Sequence, residues 1–106
     1  MNITACGGSG FLGSHVADAL TARGHNVLIF DKIKSPYLQK GQTMLVGDVL
    51  DEKAVGKAVA GADVVYNFIA LADIDQAWKR PADTARINVL GNIHILEAAR
   101  KADVKR

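Results

Sequence analysis

Short apolar runs and stretches of helical periodicity alternate along the chain. The apolar run at residues 3–6 stops at a cluster of glycines, which predicts a strand entering a tight turn. Residues 11–23 repeat apolar side chains at spacings of three and four before Gly24, which predicts a helix with a glycine stop. The run Val-Leu-Ile-Phe within residues 26–30 predicts a second strand, hydrophobic enough to be covered on both faces.

The same alternation continues with less distinct boundaries. It predicts a strand, a helix capped by Asp51, a strand and a long helix, over residues 44–46, 51–60, 64–70 and 82–102. Residues 71–81 predict a connection with a turn of helix around Trp78, whose ring we expect to pack beneath the loop. Strands that alternate with helices predict an α/β fold, here a partial Rossmann-type parallel sheet of about four strands in the order 3-2-1-4, with helices on both faces.

Composition narrows the class of protein. The 106 residues suit one domain or part of one, and 49% hydrophobic with 23% charged residues is typical of a globular chain. A net charge of +2 is too small to indicate nucleic acid or a membrane surface as the partner. The single cysteine excludes an intrachain disulfide and cysteine-rich zinc modules, and the scattered histidines indicate no metal site. We therefore expect a soluble, cytoplasmic, metal-free protein.

The glycine-rich segment at residues 7–13 is the strongest candidate for chemistry. Gly7, Gly10 and Gly13 fit a phosphate-binding turn because a strand precedes them and a helix follows. Ser9, Phe11 and Leu12 would contribute mainly through their backbone N–H groups at the helix start. The alternative is a glycine-rich turn that only connects two elements; the context favours a dinucleotide diphosphate site.

Two acidic residues follow later strands. Asp31 lies 18 residues after Gly13, near the spacing at which a carboxylate binds an adenosine ribose, and it would repel a 2′-phosphate. We therefore expect NAD rather than NADP, although Lys32 and Lys34 could compensate a 2′-phosphate if they are not simply solvated. Asp48 could bind the adenine amino group or cap a turn, and spacing alone leaves both open.

These residues resemble the extended short-chain dehydrogenase/reductase superfamily, in its branch of NAD-dependent nucleotide-sugar epimerases and dehydratases. Residues 6–15 resemble its Thr-Gly-Gly-x-Gly-Phe-Ile-Gly-Ser-His turn, with Cys6 in the threonine place. Asp31 matches the ribose acid, and residues 47–49 resemble its Gly-Asp-Ile/Val adenine contact, which favours the functional interpretation of Asp48.

The resemblance extends along the rest of the chain. Residues 65–70 are similar to the Val-x-His-Leu-Ala-Ala strand beside the cofactor, with Asn67 replacing the histidine and Ile69 an alanine. Residues 88–92 are similar to an Asn-Val-x-Gly-Thr helix start, with Asn92 in place of the threonine. The implied cofactor-binding set is Gly7, Gly10, Phe11, Leu12, Gly13, Asp31, Lys32, Asp48, Val49, Phe68, Ile69, Ala70 and Asn88.

No catalytic residue of that family has a counterpart here. The family uses a Tyr-x-x-x-Lys helix, whereas Tyr37 is followed at the fourth place by Gly41 and Tyr66 by Ala70. We therefore expect residues 1–106 to be the N-terminal part of an NAD-binding domain without its fifth and sixth strands, catalytic helix and substrate domain. The alternative is a non-catalytic NAD(P)-binding sensor or regulatory protein on the same fold.

The expected partners follow from this interpretation. The chain would bind the dinucleotide, whereas a sugar nucleotide would bind only a full-length parent. An exposed apolar edge at residues 64–70 predicts self-association as a dimer or swapped oligomer. The family resemblance also implies self-association, because the family's counterpart of the helix at residues 82–102 lies in a dimer interface.

Overall fold

Four short strands lie parallel in one sheet in a computed structural model that describes residues 1–106. They are β1 (Asn2–Cys6), β2 (Asn26–Asp31), β3 (Gln42–Val46) and β4 (Val64–Asn67). The order is β3-β2-β1-β4, and Ile3 of β1 pairs with Val27 on one side and Val64 on the other. The predicted order is confirmed, and it brings the carboxyl ends of all four strands to one edge of the sheet.

Five α-helices and one π-helical segment connect and cover the strands. They are α1 (Phe11–Ala22), α2 (Glu52–Val59), α3 (Ile74–Lys79), α4 (Pro81–Ala85), the π segment (Arg86–Gly91) and α5 (Asn92–Lys101). Asp51 caps α2 as predicted, because its side chain accepts hydrogen bonds from the N–H groups of Lys53 and Ala54. No helix combines the length and the apolar character that crossing a membrane requires.

Alternation along the strands divides the core between the two faces. Ala5 and Ile29 face α1 and pack with its buried Ala17. Their neighbours Cys6 and Phe30 lie on the opposite face, in a larger cluster with side chains of α2 and α5. Helices therefore cover both faces, as the hydrophobic pattern predicts.

The fourth strand is shorter than the predicted range of residues 64–70. It ends at Asn67 because the Asn67 side-chain oxygen accepts a hydrogen bond from the Ile69 N–H at 2.9 Å, which turns the backbone away. Phe68, Ile69 and Ala70 therefore belong to the turn beyond the strand. Only the Phe68 N–H still reaches the neighbouring strand, at 2.8 Å from the Cys6 carbonyl oxygen.

The long helix predicted at residues 82–102 is not continuous. A π-helical segment separates α4 from α5, and Pro81 occupies the first turn of α4. Gly91, at the end of the π segment, lies so close to Val49 that an added Cβ would be 2.8 Å from its side chain. The apolar periodicity of residues 82–102 shows no sign of this interruption.

The outer edge of β4 is partly paired by the last residues of the chain. The Lys105 N–H donates to the Asp63 carbonyl oxygen at 3.2 Å, and the Val65 N–H donates to the Arg106 carbonyl oxygen at 2.8 Å. Tyr66 remains 39% exposed beyond this pairing. The edge predicted to be open is therefore open only over its second half.

Trp78 does not pack beneath its loop. The predicted turn of helix exists as α3, and Asp73 caps it by accepting a hydrogen bond from the Gln76 N–H at 2.9 Å. The indole, however, is 86% exposed, and Ile74 on the same short helix is 84% exposed. The expectation for Trp78 is wrong because α3 has no buried residue and stands away from the core.

Candidate functional site

The glycine turn between β1 and α1 is folded so tightly that side chains are excluded. Gly7 has a positive φ of 80°, a conformation that favours glycine, and a Cβ there would be 2.8 Å from the Phe68 carbonyl carbon. A Cβ on Gly13 would overlap the Gly7 carbonyl oxygen. The Gly7 N–H donates to the Phe30 carbonyl oxygen at 2.7 Å, which anchors the turn to β2.

Three backbone amides at the start of α1 have no partner within the protein. Gly10 is in an extended conformation and provides no side-chain cap, and its carbonyl oxygen accepts the first helical hydrogen bond from Ser14. The N–H groups of Phe11, Leu12 and Gly13 donate to no protein acceptor. Together with the positive end of the helix dipole, they form a site suited to an anion.

Asp31 faces this turn from the end of β2. Its Oδ2 accepts a hydrogen bond from the Ser9 N–H at 3.0 Å, and its Oδ1 accepts one from the Ile33 N–H at 3.3 Å. A carboxylate has about four acceptor positions, so two remain for hydroxyl groups of a ligand. The predicted arrangement of an acid beside the phosphate turn is therefore present in the fold.

Asp48 shapes the turn after β3. Its Oδ1 accepts a hydrogen bond from the Leu50 N–H at 2.9 Å, and its Oδ2 lies 3.7 Å from the Lys32 ammonium nitrogen. The turn-forming interpretation of Asp48 is thus confirmed, while one carboxylate oxygen still faces Lys32. Val49, the next residue, is buried against Gly91.

A cavity of about 180 Å³ lies at the ends of β2 and β3. Asp31, Lys32, Asp48, Ile69 and Asp83 are among the residues that line it. This volume is below the ~300 Å³ at which pockets for whole drug-sized ligands begin. It suits one part of a larger ligand, with the rest lying along the open start of α1.

The segment after β4 completes the wall of the cleft. The backbone of Phe68 and Ile69 lies so close to Gly7 that an added Cβ would be 2.8 Å from the Phe68 carbonyl carbon and 2.9 Å from the Ile69 nitrogen. Asn88 holds the next loop: its Oδ1 accepts a hydrogen bond from the Leu71 N–H at 2.7 Å, and its Nδ2 donates to the Leu71 carbonyl oxygen at 3.2 Å. The structure therefore gives Asn88 a positioning contact, and a direct contact with cofactor stays a prediction.

Cys6 is the last residue of β1, directly before the glycine turn, and its side chain is fully buried in the cluster under α2 and α5. Burial, with the nearby Asp31 charge as a smaller cause, raises the pKa of its thiol to about 12. The thiol is therefore neutral at pH 7 and is not an activated nucleophile. No three His, Cys, Asp or Glu side chains lie close enough together to hold a metal ion.

Several contacts around the cleft were not predicted from the sequence. Ser9 binds the following loop through its hydroxyl, which donates to the Ile33 carbonyl oxygen at 2.7 Å. His94 Nδ1 lies 2.9 Å from the Val49 carbonyl oxygen, so this nitrogen must carry a proton, since a carbonyl only accepts. Arg80 and Asp83 reach the cavity from α4 and the residue before it. Ser9 lies in the glycine motif, but the motif does not specify its hydroxyl contact. His94, Arg80 and Asp83 belong to no motif of fixed spacing, so no sequence signal identifies them.

Comparisons with known proteins agree with this geometry. The sequence model of the NAD dependent epimerase/dehydratase family matches residues 3–106. A 2-alkyl-3-oxoalkanoate reductase of Stenotrophomonas maltophilia is 37% identical over 107 residues, which cover 100% of this chain and 32% of the reductase. The structure of a UDP-glucose 4-epimerase from Thermotoga maritima with UDP-glucose is 30% identical, with a TM-score of 0.92 over 99% of this chain and 36% of that one.

A second solved structure carries the cofactor itself. The UDP-glucose 4-epimerase of Thermus thermophilus in complex with NAD is 29% identical, with a TM-score of 0.89 over 98% of this chain and 35% of that one. The chain thus spans about a third of the length of these relatives.

Proposed function

The chain belongs to the NAD-dependent epimerase/dehydratase family, and from that premise we propose that residues 1–106 form the part of its dinucleotide-binding domain that holds the adenosine diphosphate half of NAD. One observation supports this most directly: the three unpartnered amides at the start of α1 lie over a turn that admits no side chain, with the Asp31 carboxylate beside it. A diphosphate needs such donors, and a ribose needs such an acceptor.

Different groups of the protein would bind different parts of NAD. The N–H groups of Phe11, Leu12 and Gly13 would bind the diphosphate, and Asp31 would accept from the ribose hydroxyls. The cavity lined by Asp48 and Ile69 would hold the adenine. When bound, NAD would supply hydride exchange at its nicotinamide ring, which is the cofactor's own chemistry. We propose that the parent reaction is transient oxidation at a carbon of a nucleotide sugar, and that this chain works in the cytoplasm.

Calorimetry with truncated ligands tests the proposed function. We expect NAD and ADP-ribose to bind weakly and with similar affinity, because both carry the diphosphate and the adenosine ribose. Nicotinamide mononucleotide, which lacks the adenosine half, should give no heat. We expect no turnover, because neither tyrosine has a lysine at the fourth following place. A folded chain, verified by circular dichroism, that gives no heat with NAD would contradict the proposal.

The gene sequence distinguishes part of an enzyme from the alternative of a non-catalytic sensor. If the DNA after the Arg106 codon continues in frame and encodes a strand followed by Tyr-x-x-x-Lys, the chain is part of an enzyme. A stop codon at that point would favour the sensor. The fold alone supports either, because sites and not folds determine function.

We further propose that two copies of this chain associate through the outer face of α5. Val89 of the π segment is 60% exposed, and Ile93 and Leu96 of α5 are 50% and 61% exposed. In sedimentation at tens of micromolar we expect a dimer or swapped oligomer, and Leu96→Glu should shift it toward monomer because it places a charge in an apolar contact. Ile74→Glu is the matched control, since Ile74 is also an exposed apolar residue, at 84% against 61% for Leu96, but lies on α3. A monomeric parent chain would overturn this proposal.

A further inference from the structure

Two cations stand at the cavity beside Asp31, and each is held by a carboxylate. The Lys32 ammonium nitrogen lies 3.7 Å from Asp48 Oδ2. The Arg80 guanidinium donates through Nε to Asp83 Oδ2 at 2.9 Å, and its Nη2 lies 2.9 Å from the same oxygen. All four side chains line the cavity in which we place the adenosine.

Asp83 pairs with two guanidinium groups at once. It lies three residues after Arg80, and its other oxygen accepts a hydrogen bond from Arg86 Nη1 at 3.1 Å. Hydrogen bonds between ionised groups are stronger than those between neutral ones. Arg80 is therefore engaged with Asp83 rather than free at the cavity.

The two ion pairs determine which charge of the cavity lining is left without a partner. Lys32 and Arg80 are each balanced by a neighbouring carboxylate, so Asp31 is the charge of the lining that stays uncompensated. Without these two pairs, a lysine and an arginine would stand next to the ribose acid. A phosphate group on the ribose would be attracted by them, since arginine binds phosphate in two-pronged contacts and lysine binds it as a point charge.

We propose that Asp48 and Asp83 act as specificity-determining residues, which select a dinucleotide without a 2′-phosphate by holding Lys32 and Arg80 in ion pairs. This inference rests on the proposed function, because it assigns a preference to the same site. Asp48 and Asp83 would thus support the repulsion of a 2′-phosphate by Asp31. Asp83 lies on α4, far along the chain from the glycine turn.

The test is the ratio of NADP to NAD affinity in Asp48→Asn and Asp83→Asn. Asp48→Asn frees Lys32, and Asp83→Asn frees Arg80 together with Arg86, which lies outside the cavity lining. We expect the ratio to rise about fivefold in each variant at low ionic strength and to fall back as salt is added. The ratio cancels any effect on adenine binding, which both ligands share. Asparagine keeps the side-chain oxygen that accepts from the Leu50 N–H, so the turn at Asp48 should be preserved.

Glu97→Gln is the matched control. Glu97 pairs with Arg100 in the same spacing as the Arg80 pair and loses the same charge on substitution, but it lies in the middle of α5, outside the cavity. The ratio of NADP to NAD affinity in Glu97→Gln should stay within about twofold of the parent value, because distant exposed charges are screened. In the double variant with Arg80→Gln and Asp83→Asn, the ratio of NADP to NAD affinity should return to that of the parent.

The outcomes separate the two proposals. If the parent chain binds NAD but neither Asp48→Asn nor Asp83→Asn raises the ratio beyond that of Glu97→Gln, the inference is wrong and the proposed function stands. If the folded parent binds neither dinucleotide, the proposed function fails and the inference falls with it.

Discussion

Gly13→Ala should abolish detectable NAD binding and lower the free energy of unfolding by about 3 kcal/mol, the upper end of the range for added bulk in a packed region. The added Cβ would overlap the carbonyl oxygen of Gly7, a backbone atom that cannot rotate away. Either α1 or the turn must move, and both carry the amides that would bind the diphosphate. Urea unfolding followed by circular dichroism, and calorimetry with NAD, measure the two effects.

Gly56→Ala provides the matched control. Gly56 lies within α2, and a Cβ there would meet no atom within 4 Å. Alanine is the better helix former, so this change should raise the free energy of unfolding by about 0.5–1 kcal/mol and leave NAD affinity unchanged. If the two alanine variants behave alike, the close contact between Gly13 and Gly7 is not what shapes the site.

Asp31→Asn should weaken NAD binding about tenfold or more, since hydrogen bonds to a charged group contribute roughly 1.5–3 kcal/mol. Asparagine retains one oxygen that can accept from the Ser9 N–H, so the turn should remain folded. The loss should depend on the ribose hydroxyl: the parent should bind ADP better than 2′-deoxy-ADP, whereas Asp31→Asn should bind the two about equally. Calorimetry with both nucleotides measures this coupling.

Asp73→Asn is the control for the loss of an acidic charge. Asp73 caps α3 through a hydrogen bond from the Gln76 N–H, and asparagine is an equally good capping residue. Its NAD affinity should equal that of the parent. A preference for ADP over the deoxy form that survives in Asp31→Asn would show that Asp31 does not contact the ribose.

The sequence predicts the sheet and the glycine turn. The alternation of apolar runs and helices predicts parallel strands with right-handed crossovers, and the order 3-2-1-4 is that of the doubly wound fold. The glycine positions are predictable because a tight turn followed by a helix restricts which residues fit. The spacing between Gly13 and Asp31 reflects one helix and one strand, so the acid could be placed without coordinates.

The remaining features depend on contacts between distant segments. The end of β4 depends on the Asn67 side chain forming a turn with Ile69, and strand propensity does not register it. The π segment occurs where Gly91 meets Val49, two residues that lie far apart in the sequence. The pairing of Lys32 with Asp48 also joins different loops. Periodicity reports which face of an element is apolar, but it does not report what that face meets.

The buried position of Cys6 gives the protein an internal reporter. Its sulfur lies in the core cluster between the sheet, α2 and α5 and is protonated, so alkylating reagents can reach it only while these helices separate from the sheet. The rate of alkylation therefore measures how often the fold opens, and a nucleotide that binds only the closed fold would lower this rate as its occupancy rises. Since the chain has a single cysteine, the signal comes from that one place.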